Sequence, residues 1–318
     1  MSGSKQLFYS MCISRMNVSG IHERWFGRAD TDLRCADILF KNGQYACAIF
    51  HLQQADEKIA KGILNGFGFM AGDPTATQLF ELIGPRGEKI FRDILEMNKY
   101  SPKGYGHSWH ERMLDFMEVV VTWLSSWNKY LQQEGSSREF TYDASRESRV
   151  LLDFRQKIDA ARRIEPKLDI SVQELDQVTS WCRGVLDPLE EADNLSLEVS
   201  KMVQLPPKGP IIAALEKQLG IKMDENTLKK IDALYSGPVI SDLIAKTMVL
   251  SEILIVLTIL NIYLVSHEVY SRYPDPEVGL VYDENLPLVR RYDQVRALLL
   301  RCLELARPLV PLTRADGP

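Results

Sequence analysis

The chain has few of the features that announce chemistry. Cysteine is scarce: five in 318 residues, at Cys12, Cys35, Cys47, Cys182 and Cys302. The count is odd and no pair has CxxC spacing, which argues against a disulfide framework or a zinc ribbon and for a reducing compartment. There is no excess of basic residues. The net charge is −5 and the pI about 5.7, so a broad basic surface for duplex nucleic acid is not expected, although a small basic pocket is compatible with it. No glycine-rich phosphate loop, Walker lysine, GxSxG elbow or HExxH occurs, so a conventional ATPase, hydrolase or metalloprotease is not indicated. The first residues, MSGSKQLFYSMCISRM, lack the apolar core and cleavage site of a signal peptide. We expect no cofactor and no metal. His107 and His110 have helical metal-ligand spacing, but no carboxylate or thiolate partner is obvious.

Long apolar runs are also missing, with one exception. Residues 247–265, TMVLSEILIVLTILNIYLV, are nearly apolar throughout. A spanning helix needs roughly 20 such residues. Glu252 and Asn261 interrupt the run, and Lys246 and His267 bound it. The centre of a helical bundle demands the same all-round apolarity. The expectation is a buried core helix, a cytoplasmic protein and no membrane.

What is abundant is helical periodicity. Ala29, Leu33, Ala36 and Leu39 or Phe40 mark one face of a helix over about 23–41, and Asn42-Gly43 stops it. Tyr45, Ile49, Leu52, Ala55, Ile59 and Ile63 line a second helix to about residue 65. So short a linker makes the two an antiparallel hairpin. Short helices are expected within 74–99, broken at Gly84-Pro85. A third long helix is expected over about 108–133, carrying Trp109, Met113, Phe116, Val120 and Trp123. Residues 136–236 are more charged and more broken, with several amphipathic helices, and Ser171 with Glu174 resembles a capping box. The apolar helix follows over about 238–270. A proline-bearing loop and a last helix over about 292–309 close the chain, with Val295, Leu298, Leu299, Cys302, Leu303 and Ala306 facing inward. No stretch alternates long enough to require a sheet.

Three features carry a family resemblance. The hairpin ends in Gln53-Gln54-Ala55-Asp56-Glu57-Lys58-Ile59-Ala60-Lys61, and Arg272-Tyr273-Pro274 precedes the final helix. His107 opens the third helix. Together these resemble the HEPN family, whose name denotes nucleotide binding. The resemblance implies an all-α fold: an antiparallel four-helix bundle, here with an added helical insertion. On that reading residues 24–135 hold the first part of the bundle, 136–236 the insertion and 237–312 the final two helices. It also implies work on RNA or nucleotides, frequent homodimerisation, and roles in stress, antiviral or toxin–antitoxin systems beside an antitoxin or a nucleotidyltransferase.

Family ribonucleases use an arginine and a histidine separated by four to six intervening residues, the arginine holding phosphate and the histidine moving a proton. That spacing occurs here only at Arg15 and His22, ahead of the bundle. An up-down-up-down bundle would instead gather Arg24, Arg28, Lys61, His107, His110, Arg112, His267 and Arg272 at one end. The candidate catalytic residues are therefore His107, Arg272 and His267, with His110, Arg112, Tyr273, Lys61 and Arg28 binding phosphate. Plainer roles compete. Arg272 can complement a helix dipole. Glu57 and Lys61 form an ordinary i,i+4 pair. Gln53, Gln54 and Lys58 read as structural. His51 reads as a hydrogen-bonded interior or interface histidine. Arg290, Arg291, Arg296 and Arg301 do not share one face, so a solvated surface is expected there. Three functions follow: nucleotide or RNA binding, metal-independent endoribonuclease activity through an Arg/His pair, and a non-catalytic helical interaction scaffold.

Overall fold

The structure, a computed structural model, describes residues 21–72, 113–114, 117–118, 121, 144–164, 168, 170–190, 239–272 and 280–310. Among these the chain is helical with no strand: α1 (Ile21–Lys41), α2 (Tyr45–Gly72), α3 (Ala144–Arg162), α4 (Val172–Glu190), α5 (Val239–Arg272), α6 (Pro287–Arg290) and α7 (Tyr292–Ala306). A 3-10 turn, Arg307–Leu309, follows α7.

The hairpin forms for local reasons. Gly43 takes φ +71°, and the amide of Gln44 donates to the carbonyl of Leu39 at 2.9 Å while that of Gly43 donates to Phe40 at 3.0 Å. This left-handed cap closes the carbonyls that α1 would otherwise leave open. Close approach of α1 and α2 rests on Gly62. A Cβ there would come within 2.3 Å of the Phe26 ring, which is fully buried. The expected apolar face is the one buried: Ala29, Leu33 and Ala36 on α1, and Ile49, Leu52, Ala55, Ile59 and Ile63 on α2.

Around this hairpin α5 and α7 complete a four-helix bundle, and pairs of contacts fix their directions. Tyr292, at the start of α7, stacks on Phe40 at 3.9 Å and donates to Asp37. Beyond its end Arg307 donates to Asp30 at 2.7 Å, and Val310 packs on Gly66. Thus α7 runs antiparallel to α1. Asn261 of α5 bonds Asp56 of α2. Six residues later His267 meets Tyr282, and Glu284, two residues beyond that, reaches Tyr45 at the start of α2. Two residues of chain span at most about 7 Å. The C-terminal end of α5 therefore lies at the Asn42-Gly43 end of the hairpin, antiparallel to α2.

The described helices of the 136–236 segment share this core. Phe154, Ile158 and Ala161 of α3 and Leu175, Cys182, Leu186 and Leu189 of α4 belong to the same apolar cluster. Ser171 caps α4, its Oγ accepting from the amide of Glu174 at 3.1 Å. Met113, Leu114, Met117 and Val121 are buried at three- and four-residue spacing, as one face of a helix.

The segment Lys246–His267 is long and apolar enough to cross a membrane by length and composition, yet 83 % of it is buried in the bundle. Its polar groups show why burial is tolerated. Ser251 and Thr258 donate back to the carbonyls of Thr247 and Leu254, and Glu252 receives Lys157 at 2.8 Å. The expectation of a solvated surface for the late arginines holds for Arg290, which is exposed, but not for the other three. α7 lies between α1 and α4, so Arg296 pairs with Asp37, Arg291 with Asp176 and Arg301 with Asp187.

Candidate functional site: a cationic aromatic ledge on the hairpin

Two facing stripes run along the seam of α1 and α2. Trp25, Arg28, Asp32 and Cys35 follow one another at helical spacing on α1; His51, Gln54, Lys58 and Lys61 do so on α2. Asp32 is the hub of the seam. His51 Nδ1 lies 2.9 Å from its Oδ1, and Lys58 donates to its Oδ2. The carboxylate is about a tenth exposed, so it is largely out of water and held by two cation-capable groups two turns apart. His51 thus has the hydrogen-bonded interface role expected of it.

Further along the same seam Lys61 pairs with Glu57, as its i,i+4 spacing implies. Its ammonium also sits over the half-buried Trp25 ring, 5.3 Å from the centroid, while the Arg28 guanidinium lies 5.5 Å from it. Two cations from different helices therefore meet one indole. Arg24 and Arg28 are exposed and pair with no carboxylate among the described residues.

Among the described residues the expected one-ended cluster is split. Arg28 and Lys61 share the Trp25 end of the hairpin, but His267 lies toward the opposite end. Tyr45, which marks that opposite end, is 16 residues from Lys61 along α2, about 24 Å at the helical rise. The expected bundle order put the end of the apolar helix at the Trp25 end of the hairpin. That helix runs antiparallel to α2, so His267 and the end of α5 at Arg272 lie toward the Asn42-Gly43 turn.

His267 itself is 1 % exposed. Burial lowers its pKa to about 4, so it is neutral near pH 7. Its ring meets the Tyr282 hydroxyl at 3.1 Å, and that hydroxyl also donates to the His267 carbonyl at 3.2 Å. This pair latches the loop before α6 onto α5. Of the Arg15/His22 spacing match, His22 is a buried residue of the first turn of α1, its ring edge-on to Phe26. Arg15, His107, His110, Arg112 and Tyr273 lie outside the described residues, as does the side chain of Arg272. No group of three His, Cys, Asp or Glu with metal-binding geometry occurs among the described residues.

Periodicity alone does not divide the Gln53–Lys61 run correctly. Gln54, Lys58 and Lys61 follow the seam register, whereas Gln53 and Asp56 are completely buried, Asp56 against Asn261 of α5. For Asp56 the signal was available as a polar residue at a core register, four residues after Leu52 and three before Ile59.

Comparison with known proteins gives one match. Residues 22–127 match the HEPN domain family, a span that contains the hairpin and the buried Met113, Leu114, Met117 and Val121. No curated protein and no solved structure matches the chain.

Proposed function

We propose that this HEPN-bearing, all-α chain binds single-stranded RNA or nucleotides, and that the ledge of Trp25, Arg28 and Lys61 is where it does so. The observation that carries the reading is the convergence of two cations from separate helices on a half-buried indole. An aromatic face stacks on any base, and adjacent cations hold phosphate. Exposed Arg24 extends the positive charge, while Asp32 and Glu57 hold Lys58 and Lys61 in place. The net charge of −5 fits a local ledge better than a broad duplex-binding face.

The test is binding of a fluorescently labelled single-stranded RNA and of labelled ADP, followed by anisotropy over a range of salt. Trp25→Ala is expected to weaken RNA binding by roughly 5- to 150-fold, the equivalent of about 1–3 kcal/mol of stacking. Arg28→Ala and Lys61→Ala are each expected to reduce the salt slope by about one. Unchanged RNA and ADP binding in all three variants, with helical content intact, would remove the reading and favour an interaction scaffold.

A further inference from the structure

Polar groups meet inside the largely apolar packing of α2 and α5. Gln53, Asp56 and Asn261 are each fully buried, and Asp56 and Asn261 bond across the two helices. Asn261 Nδ2 donates to Asp56 Oδ2 at 2.8 Å, and Gln53 Oε1 accepts from Gln54 at 2.7 Å. Each side chain then has one polar atom left without a partner: Gln53 Nε2, Asp56 Oδ1 and Asn261 Oδ1. A buried polar atom without a hydrogen bond costs about 1–3 kcal/mol. Three such atoms would consume a large share of the roughly 5–15 kcal/mol by which a domain is stable.

The three atoms have matching chemistry. Gln53 and Asp56 lie three apart on α2 and are neighbours on one face, with Cβ atoms about 5–6 Å apart. Asn261 is already bonded to Asp56. One of the atoms is a donor and two are acceptors. A water molecule accepts from one and donates to two, and buried waters typically make about three bonds. We propose that Gln53, Asp56 and Asn261 form an internal binding site for a single water molecule between α2 and α5.

The site has a structural consequence. α5 is apolar nearly all round, with Leu250, Ile253, Leu254, Ile255, Val256 and Leu257 all fully buried. Hydrophobic burial therefore discriminates poorly between rotations and registers of this helix. A directional polar contact does discriminate, because any other register leaves Asp56 and Asn261 unpaired. Asn261, Asp56 and their water hold α5 in one register against the HEPN-matched hairpin. Desolvation pushes the Asp56 carboxyl well up; in its protonated form Oδ1 donates, and the same water then accepts from Gln53 and Asp56 and donates to Asn261.

A high-resolution crystal structure of the full chain tests the proposal directly. The expected result is a water within hydrogen-bonding distance of Gln53 Nε2 and of Asp56 Oδ1 or Asn261 Oδ1. Finding the three side chains bonded to one another with no water between them overturns it. In solution, water relaxation dispersion should count one fewer long-lived water in Asp56→Leu/Asn261→Leu than in the wild type. An unchanged count in a folded double variant also overturns it. If that variant does not fold, the wild-type crystal structure still decides.

Discussion

Replacing Gly62 by alanine sets two effects of opposite sign against each other. In a helix interior, alanine is favoured over glycine by about 1 kcal/mol. Against this, the new Cβ would lie 2.3, 2.6 and 3.0 Å from three ring atoms of Phe26. The ring is fully buried, so it cannot swing into solvent, and α1 must move off α2. Overpacking of this kind costs about 1–3 kcal/mol, and the first contact is far below any tolerated distance, so the upper half of that range applies. The net expectation for Gly62→Ala is a loss of roughly 1–2 kcal/mol. Gly184 in α4 is the control, because a Cβ there meets nothing within 4 Å. Gly184→Ala is expected to stabilise by up to about 1 kcal/mol through propensity alone. Urea unfolding followed by circular dichroism reads both midpoints. Phe26→Leu should cost less in the Gly62→Ala background than in the wild type, since the smaller side chain makes room. If Gly62→Ala raises the midpoint as much as Gly184→Ala, the close approach of the hairpin helices is refuted.

The remaining predictions concern buried charge. His267 has its pKa lowered from 6.5 to about 4 by burial, so the folded state binds its proton less readily than the unfolded chain. Stability should therefore be unaffected by this group above about pH 6.5, fall as the pH drops from 6.5 toward 4, and lose about 3 kcal/mol in all. His267→Gln should flatten that part of a stability-versus-pH curve, and an unaltered curve would exclude the assignment. On the seam, Asp32→Ala leaves Lys58 and His51 without their shared acceptor and is expected to cost about 1–3 kcal/mol. Asp32→Asn, which can still accept, should cost less, and equal losses by urea denaturation would contradict the hub role.

Much of the fold is legible in the residues because helices are local objects. Asn42-Gly43 announces a left-handed cap, and the structure places φ +71° at Gly43. The apolar spacing on α1, α2 and α7 names the buried faces, down to Leu298, Cys302 and Ala306. The HEPN resemblance in the Gln53–Lys61 run matches the family over residues 22–127. Apolarity over 247–265 suits a bundle interior and a membrane interior alike; Glu252 and Asn261 within the run pointed to a core helix, and the structure buries it.

Which end of the bundle a residue reaches is not a local property. The direction of α5 follows from its packing against α2, through contacts such as Asn261 with Asp56 over 205 positions of sequence. That direction separates His267 from Arg28 and Lys61, which sequence order had gathered at one end. Burial of single polar residues is decided the same way. Gln53 and Gln54 are chemically identical neighbours, yet the 100° turn between successive helical residues buries one completely and leaves the other at the seam register, partly exposed. Sequence by itself determined the helices, their caps and their apolar faces, because propensity and periodicity act over a few residues. Only the tertiary structure decided which charged groups meet, since electrostatic partnership depends on distances between helices that no short stretch of chain encodes.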